Sequence, residues 1–280
     1  PFEGSIVSAV IGATEEGAIR RELKSIEIKI ETKIDRTAAE LFGGFGFRAP
    51  AWQEGDLIYT KAADDLVGSF SIVTAAKNIY GKRGKPKLQK HFLAVLTRAE
   101  EVGFLGALKH FEEYKLGTLK TPPLLVSLEA SRTLPGAEIG KGPVLRLGDA
   151  SSIFDSNGIK VLVTVAKARL KNSFQKRVMD GGTCEATAAI AYGIPAMGIS
   201  VPLGNYHNIG YEGGPDASSA ERGPAPEFVH LSDIAGQATL VEALLEADTR
   251  DPWAKDRKEY QGWLKSSRAL FKLPRSTAAK

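Results

Sequence analysis

The hydrophobic pattern changes near residue 60, and the two parts of the chain predict different structures. Segments 5–12 and 22–34 are strand-like, and in the second Ile26, Ile28 and Ile30 alternate with charged residues, as in a half-buried strand. Residues 35–44 predict a short helix, and 53–60 predict a turn that leads into a further strand. Residues 1–60 are therefore predicted to form a small β-rich module.

After residue 60, helical and extended patterns alternate. Helices are predicted over 64–81, 102–115, 184–193 and 231–248, the last with Ser232 as its N-cap. Strands with continuous apolar cores are predicted over 90–101, 122–131, 142–149 and 196–204. This order is typical of an α/β fold with a mixed, largely parallel sheet flanked by helices on both faces. One such domain is expected over residues 61–280, with segment 211–227 as a long loop over the sheet edge where ligands gather.

Composition narrows the functional classes. The chain has 280 residues, 43% hydrophobic and 25% charged, with a net charge of +4. The basic stretches 80–90 and 272–280 lack interleaved aromatic residues, so they predict solvated surface and no nucleic-acid partner. The sequence has no apolar run of about 18 residues, so no membrane span is expected. The single cysteine, Cys184, cannot form an intrachain disulfide and fits a reducing, cytoplasmic compartment.

Acidic and imidazole side chains follow or precede several predicted elements at what should be one edge of the sheet. Asp64 and Asp65 precede a helix, and Glu100 and Glu101 end a strand. Further along the chain, Glu129 ends the next strand and His207 follows another. Buried carboxylates repel one another unless a cation offsets them, and the nearest cations in sequence are Arg98 and Arg132. Carboxylates combined with a histidine suit a divalent ion such as zinc, cobalt or manganese.

Each of these residues also has an ordinary structural explanation. Adjacent acidic residues are common on solvated surfaces and at helix N-termini, and a lone histidine is commonly structural. His91, His110 and His230 are interpreted as structural because they lie at a strand start, in an amphipathic helix and before a helix cap. The functional interpretation therefore depends on the joint occurrence of the acidic residues and His207.

Several blocks in order resemble one family of peptidases. The blocks are DD-x-x-G at 64–68, AEEVG-x-x-GA at 99–107, GKGPVLRLGD at 140–149, GGTCEA at 181–186 and GIPAMGISVPLGNYHN at 193–208. Together they resemble the dinuclear-metal aminopeptidases known as tetrahedral, deblocking or glutamyl aminopeptidases, some of which are labelled cellulase M or endoglucanase. The resemblance runs through about residues 20–245. It implies a zinc-peptidase type of α/β domain over 61–280, interrupted by an inserted β domain of which residues 1–60 are a remnant.

The resemblance also implies roles for the residues at the sheet edge. Asp64 would bridge two metal ions and precede a cis peptide bond to Asp65. Glu101 and Glu129 would each bind a metal, and His207 would bind the other ion of the pair. Glu100 would be the general base. The two ions, zinc foremost with cobalt or manganese as alternatives, would activate a water for hydrolysis of the N-terminal residue of a peptide substrate. Relatives assemble through the inserted module, so a homo-oligomer is expected.

The chain departs from the family pattern in several places. The family uses an early histidine in a His-x-Asp motif, and this sequence has no histidine before His91. A missing N-terminal segment is the expected explanation, and loss of that ligand is the alternative. Leu66 occupies a position where arginine is usual, and Glu129 occupies one where aspartate is usual. Cys184 and Glu185 replace Asp-Ala, and Cys184 is interpreted as a small buried residue near the pocket.

Three functions remain open at the level of sequence. The first is a metal-dependent aminopeptidase, and the second is a deacylase of N-acyl amino acids on the same fold. The third is a non-catalytic binding or assembly protein that lacks one metal ligand. A glycosidase is disfavoured, because such enzymes use two carboxyl groups about 5–10 Å apart that flank a sugar bond. Adjacent Glu100 and Glu101 match that arrangement poorly, and Glu129 and His207 would have no role.

Overall fold

The computed structural model describes residues 4–13, 21–30, 46–47, 49–81, 91–210, 224–247, 250–267 and 270. The chain divides into two units, Pro1–Phe45 and Gly46–Lys280. The predicted helix over 35–44 lies outside the described residues, as does most of the predicted loop over 211–227.

The first unit contains an antiparallel strand pair. Strands β1 (Gly4–Ala13) and β2 (Arg21–Ile30) pair from Gly4 opposite Ile30 to Ala13 opposite Arg21. The register shifts twice along the pair, between Ile6 and Ser8 and between Val10 and Ile11. Both strands lie where the sequence predicts them, and the alternating isoleucines belong to β2.

The second unit combines helices with strands of one sheet. Its strands are β3 (Ala51–Glu54), β4 (Leu57–Thr60), β5 (Leu125–Arg132), β6 (Val144–Asp149), β7 (Gln175–Met179), β8 (Ala196–Gly204) and β9 (Glu227–His230). Its helices are α1 (Ala63–Tyr80), α2 (Leu105–Tyr114), α3 (Ser156–Leu170), α4 (Glu185–Ala191), α5 (Leu231–Glu246) and α6 (Ala254–Ser266). None of the described helices has the length and apolar composition that a membrane crossing needs.

The sheet is mixed, and β8 is its central strand. The order is β3-β4-β9-β8-β6-β7, and β5 pairs with β8 on its other side. The pairs β5–β8 and β6–β7 are parallel, whereas β3–β4, β4–β9, β6–β8 and β8–β9 are antiparallel. The α/β class is confirmed, but the expectation of a largely parallel sheet is wrong. An alternation of helices and strands in sequence does not record strand direction, and β3 and β4 form a tight hairpin.

The hairpin of β3 and β4 belongs to the second unit, so the boundary between the units differs from the predicted one. Residues 51–60 were grouped with the β module in sequence, but β4 pairs with β9 in the main sheet, with Leu57 opposite His230. The division of the chain therefore falls at residues 45 and 46 instead of 60 and 61.

Helices cover both faces of the sheet, as the sequence predicts. Every residue of β8 is buried. Met197 and Ile199 point to the face covered by α3 and α5, where they meet Leu162 and Leu240. The neighbouring residue Ala196 points to the other face, where α2 and α4 pack. Glu129, which pairs with Ser200, lies on this second face.

Some elements differ from the sequence prediction. The predicted strand over 90–101 is not a strand in its described part, and Leu93 and Leu96 there are exposed. An apolar segment becomes a strand only where another strand pairs with it, and no described strand does so here. Helix α5 begins at Leu231, the first residue of the predicted range, but its N-cap is His230 instead of Ser232: the His230 Nδ1 accepts from the Ser232 backbone N–H. Elements α3, β7, β9 and α6 have no counterpart in the sequence prediction.

A buried glutamine joins four elements beneath the candidate site. Gln237 of α5 is fully buried, and its Oε1 accepts a 2.8 Å hydrogen bond from the Ser71 hydroxyl of α1. Its Nε2 lies 3.2 Å from the carbonyl oxygens of Glu129 in β5 and Ile199 in β8. Both polar ends of the amide are thus satisfied in a dry environment, which holds these elements in one arrangement.

We expect Gln237→Leu to destabilise the protein by about 2–3 kcal/mol, because Ser71 and the two carbonyls would stay buried without a partner. Urea denaturation gives the free energy of unfolding directly. Thr239→Val is the matched control on the exposed side of α5, where the hydroxyl only returns to the Ala235 carbonyl. A change below about 0.5 kcal/mol for Gln237→Leu would contradict the assignment.

Candidate metal centre

Asp64 and Asp65 form the entrance to α1. The peptide bond between them is cis, as the family resemblance implies. The Asp65 side chain turns back, so that its Oδ1 accepts a 3.0 Å hydrogen bond from the Gly68 backbone N–H. A Cβ on residue 68 would lie 2.1 Å from Asp65 Oδ2, so only glycine fits there. Asp65 thus stabilises the start of the helix, and Asp64 is left to face the pocket.

Glu100 and Glu101 lie in a tight turn before α2. The backbone N–H groups of Gly103 and Phe104 donate to the Glu100 carbonyl at 3.0 and 2.9 Å. Gly103 has a φ of +107°, which a residue with a side chain rarely adopts. The turn leaves Glu100 half-buried and the Glu101 side chain 59% exposed. The glycine after the acidic pair therefore permits the turn from which both carboxylates project.

His207 approaches this acidic group from the loop after β8. Its φ is +55°, in the left-handed region, and its ring stacks on Tyr206 with 3.8 Å between ring centroids. Nε2 of His207 is 3.5 Å from Glu101 Oε2 and 3.8 Å from Asp64 Oδ2. One ligand atom from each of Asp64, Glu101 and His207 lies within 4.8 Å of the other two. Three of the four predicted metal ligands are therefore brought together.

Glu129, the fourth predicted ligand, lines the same pocket as Asp64, Glu100 and Glu101 but has partners of its own. Its Oε1 accepts a 2.5 Å hydrogen bond from the Ser127 hydroxyl two residues earlier in β5. Its Oε2 is 3.5 Å from a guanidinium nitrogen of Arg146 in β6. The described ligand cluster does not include Glu129.

Glu227 is a site residue that the sequence analysis missed. It is 3% exposed at the start of β9. Its Oε2 accepts from the Asp64 backbone N–H at 3.0 Å, and its Oε1 accepts from the His207 backbone N–H at 3.1 Å. One carboxylate thereby fixes the backbone positions of two predicted ligands. An acid next to the apolar Phe228 and Val229 is the signal that could have indicated it.

The carboxylates raise one another's pKa. Burial, followed by the charges of Glu129 and Glu101, raises the pKa of Asp64 to about 8. Burial, followed by the charges of Glu129 and Glu101, raises the pKa of Glu100 to about 7. Burial also raises the pKa of Glu227. These shifts indicate that negative charge at this edge of the sheet is poorly compensated by the protein alone.

The other singled-out residues lie outside this cluster. Cys184 is buried, and burial raises the pKa of its thiol to about 12, which makes it unreactive near neutral pH. His230 caps α5, and His110 packs against Tyr114 with 4.7 Å between ring centroids. Leu66 is exposed on α1. Arg98 is exposed as well, and the arginine that faces Glu129 is Arg146.

Comparisons with solved structures give the same fold in other peptidases. An aminopeptidase from the archaeon Desulfurococcus kamchatkensis matches with a TM-score of 0.60 and 22% identity over 87% of this chain and 66% of that one. The TET1 peptidase of Pyrococcus horikoshii, which assembles into a tetrahedron or a large octahedral shell, matches at 0.58 and 23% identity over 86% and 71%. A TET aminopeptidase from a marine sediment thaumarchaeon matches at 0.56 and 22% identity over 72% and 52%.

The chain thus spans just under two thirds of the first of these proteins. A comparison with curated protein sequences gave no match. A protein-family model described as M42 glutamyl aminopeptidase matches residues 12–211, which is more than half of the chain. The matched range includes Asp64, the Glu100–Glu101 pair, Glu129 and His207. The chain therefore belongs to the M42 glutamyl aminopeptidase family, a family of peptidases.

Proposed function

We propose that this protein is a metal-dependent aminopeptidase that removes N-terminal residues from peptides. The observation that supports this most strongly is the convergence of Asp64, Glu101 and His207 within 4.8 Å. Membership of a family of glutamyl aminopeptidases supplies the class of reaction.

The donor set fits a divalent ion. Two carboxylates and one imidazole are the ligands that zinc takes in proteins, and cobalt and manganese accept the same atoms. The pKa of Asp64, raised to about 8 by burial and by neighbouring carboxylates, supports a cation at this position, because a positive charge would offset their repulsion. Glu227 adds a supporting contact, since it holds the backbone of Asp64 and His207 in place before any ion binds.

We propose that Asp64, Glu101 and His207 hold one ion and that Glu129 contributes to a second, with Asp64 shared between them. Zinc is the foremost candidate for both. Divalent ions bound there would lower the pKa of a water and polarise a peptide carbonyl. The protein's own contribution is to hold these side chains beside a pocket whose lining also includes Asp180, Gly181 and Gly182.

Glu100 is proposed as the general base. It lies next to the ligand Glu101 but is not part of the ligand cluster, so its carboxylate stays free to handle protons. It accepts a proton from the attacking water as the water oxygen bonds to the peptide carbonyl carbon. It then returns that proton to the leaving amine nitrogen as the carbon–nitrogen bond breaks. In the metal-free protein, burial and the charges of Glu129 and Glu101 raise the pKa of Glu100 to about 7.

We further propose a homo-oligomer in the cytoplasm. The relative from Pyrococcus horikoshii assembles into closed shells, which supports self-association. The single cysteine, buried in the core, fits a reducing compartment. No role for nucleic acid or a membrane enters the proposal.

The proposed reaction is tested with aminoacyl-anilides and N-acetylated analogues, with and without a chelator. We expect hydrolysis of the free-amine substrates only, lost on chelation and restored by zinc, cobalt or manganese. Preference for the N-acylated compounds would favour a deacylase instead. Absence of hydrolysis for every substrate after metal reconstitution would favour a non-catalytic member of the family.

The roles of the adjacent glutamates are separable by substitution. Glu100→Gln should lower kcat by about 10²- to 10⁴-fold while bound metal, measured by elemental analysis, stays at the wild-type level. Glu101→Ala should lose metal as well as activity, because it removes a ligand. Full activity in Glu100→Gln would show that another group handles the proton.

The acidic cluster predicts an unusual dependence of stability on pH in the metal-free protein. The folded-state pKa values of Asp64 (about 8) and Glu100 (about 7) lie above the ordinary values of 3.8 and 4.5. Between those limits the folded state binds more protons than the unfolded state, so stability should fall as pH rises from about 4 to 8. We expect Tm to drop by on the order of 5 °C from pH 5 to pH 8.

The control for this pH experiment is Asp64→Asn, which removes one carboxyl group with a raised pKa and should weaken the dependence of Tm on pH. Zinc should raise Tm more at pH 8 than at pH 5 in the wild type, since fewer protons compete for the ligands at the higher pH. A wild-type Tm that rises steadily from pH 5 to 8 without metal would contradict the inferred repulsion among the carboxylates.

A further inference from the structure

Arg146 reaches Glu129 across the central strand of the sheet. In the register of the sheet, Arg146 of β6 lies opposite Gly198 of β8, and Ser127 of β5 lies opposite Gly198 on the other side. Side chains opposite one another in neighbouring strands share a face, and so do residues two apart in one strand. The side chains of Arg146, Ser127 and Glu129 are therefore on the same face. Strand β8 lies between β6, which carries Arg146, and β5, which carries Glu129.

Gly198 makes this reach possible. A Cβ on residue 198 would lie 3.1 Å from Arg146 Cδ and 3.3 Å from Arg146 Cβ. The same Cβ would lie 3.2 Å from the ring of Phe154. A side chain at this position would thus crowd the space through which Arg146 passes, and the glycine keeps it open.

The guanidinium is buried but incompletely satisfied. Arg146 is 4% exposed, and its Nε has no hydrogen-bond partner among the described residues. Its nearest carboxylate oxygen, Glu129 Oε2, is 3.5 Å away, which is longer than a charge-assisted hydrogen bond. The positive charge of Arg146 is therefore offset chiefly by Glu129. A metal ion that bound Glu129 in its place would leave Arg146 buried without that partner, which is energetically costly.

Glu129 has both oxygens engaged, in contrast to Asp64 and Glu101. Ser127 donates to Oε1, Arg146 faces Oε2, and the Cys184 thiol also donates to this carboxylate. Asp64 and Glu101 instead face the imidazole of His207, which offers a metal-binding nitrogen. The candidate site therefore has two halves. In one, ligand atoms of Asp64, Glu101 and His207 converge. In the other, Glu129 already faces the positive charge of Arg146.

Resting on the proposed function, we propose that Arg146 is a built-in counter-cation that competes with the second divalent ion for Glu129. The first ion binds to Asp64, Glu101 and His207 without disturbing the arginine. The second ion binds to Glu129 only by separating it from Arg146, which makes its binding much the weaker of the two. Occupancy of the second position, and any activity that needs two ions, then follows the free metal concentration.

The test is calorimetric titration of the metal-free protein with zinc, with cobalt absorption spectra as a second readout. The wild type should bind one equivalent tightly and a second at least about 100-fold more weakly, a gap of roughly 2.7 kcal/mol. Arg146→Met removes the charge and keeps an apolar stem, and it should bring the second dissociation constant to within about tenfold of the first.

Arg169→Met is the matched control. Arg169 forms an ion pair with Glu246 on exposed helical surface and should leave both binding steps at wild-type values. Glu129→Gln keeps the site testable if Arg146→Met does not fold: it should retain the first equivalent with a dissociation constant within about threefold of wild type.

Three results would overturn the inference. Two ions of similar affinity in the wild type, or an unchanged second step in Arg146→Met, would show that the arginine does not compete. Loss of the first equivalent in Glu129→Gln would show that Glu129 belongs to the first site. Each of these leaves the proposed aminopeptidase standing, whereas binding of no metal by wild type or variant would overturn both.

Discussion

Electrostatic repulsion among carboxylates is the constraint around which this site is organised. Asp64, Glu100, Glu101 and Glu129 line one pocket, and burial together with their mutual charge raises the pKa of Asp64 to about 8. A folded protein keeps such groups together only if other interactions hold the backbone in place. Arg146 supplies a compensating positive charge beside Glu129, and we propose a divalent ion beside Asp64, Glu101 and His207.

The scaffold meets this constraint with two buried polar residues, Glu227 and Gln237. Glu227 ties the start of α1 to the loop that carries His207, through one hydrogen bond from each backbone. Gln237 joins α1 and α5 to the carbonyls of β5 and β8. Since neither residue is a predicted ligand, the geometry of the ligands depends on residues that a search for metal-binding motifs does not select.

The candidate site was predictable in part because its residues sit in short, local patterns. The Asp64–Asp65–x–x–Gly68 spacing follows from a helix start in which Asp65 receives the Gly68 N–H. The Glu100–Glu101–Val102–Gly103 order follows from a turn that needs a positive φ. Arg146 and Glu227 escaped notice because each lies next to apolar residues in a short strand. The role of such a charge becomes clear only when its distant partner is known.

The sequence by itself determined the α/β class, most helices, both strands of the first unit and which acidic and histidine side chains are candidates for chemistry. Only the tertiary structure decided strand direction, the place of the hairpin at 51–60 in the main sheet, and the exposed, unpaired state of segment 91–99. It also decided that Asp64, Glu101 and His207 converge while Glu129 faces Arg146. The reason is physical: periodicity reports which face of an element is buried, whereas pairing and charge compensation depend on residues brought together from distant parts of the chain.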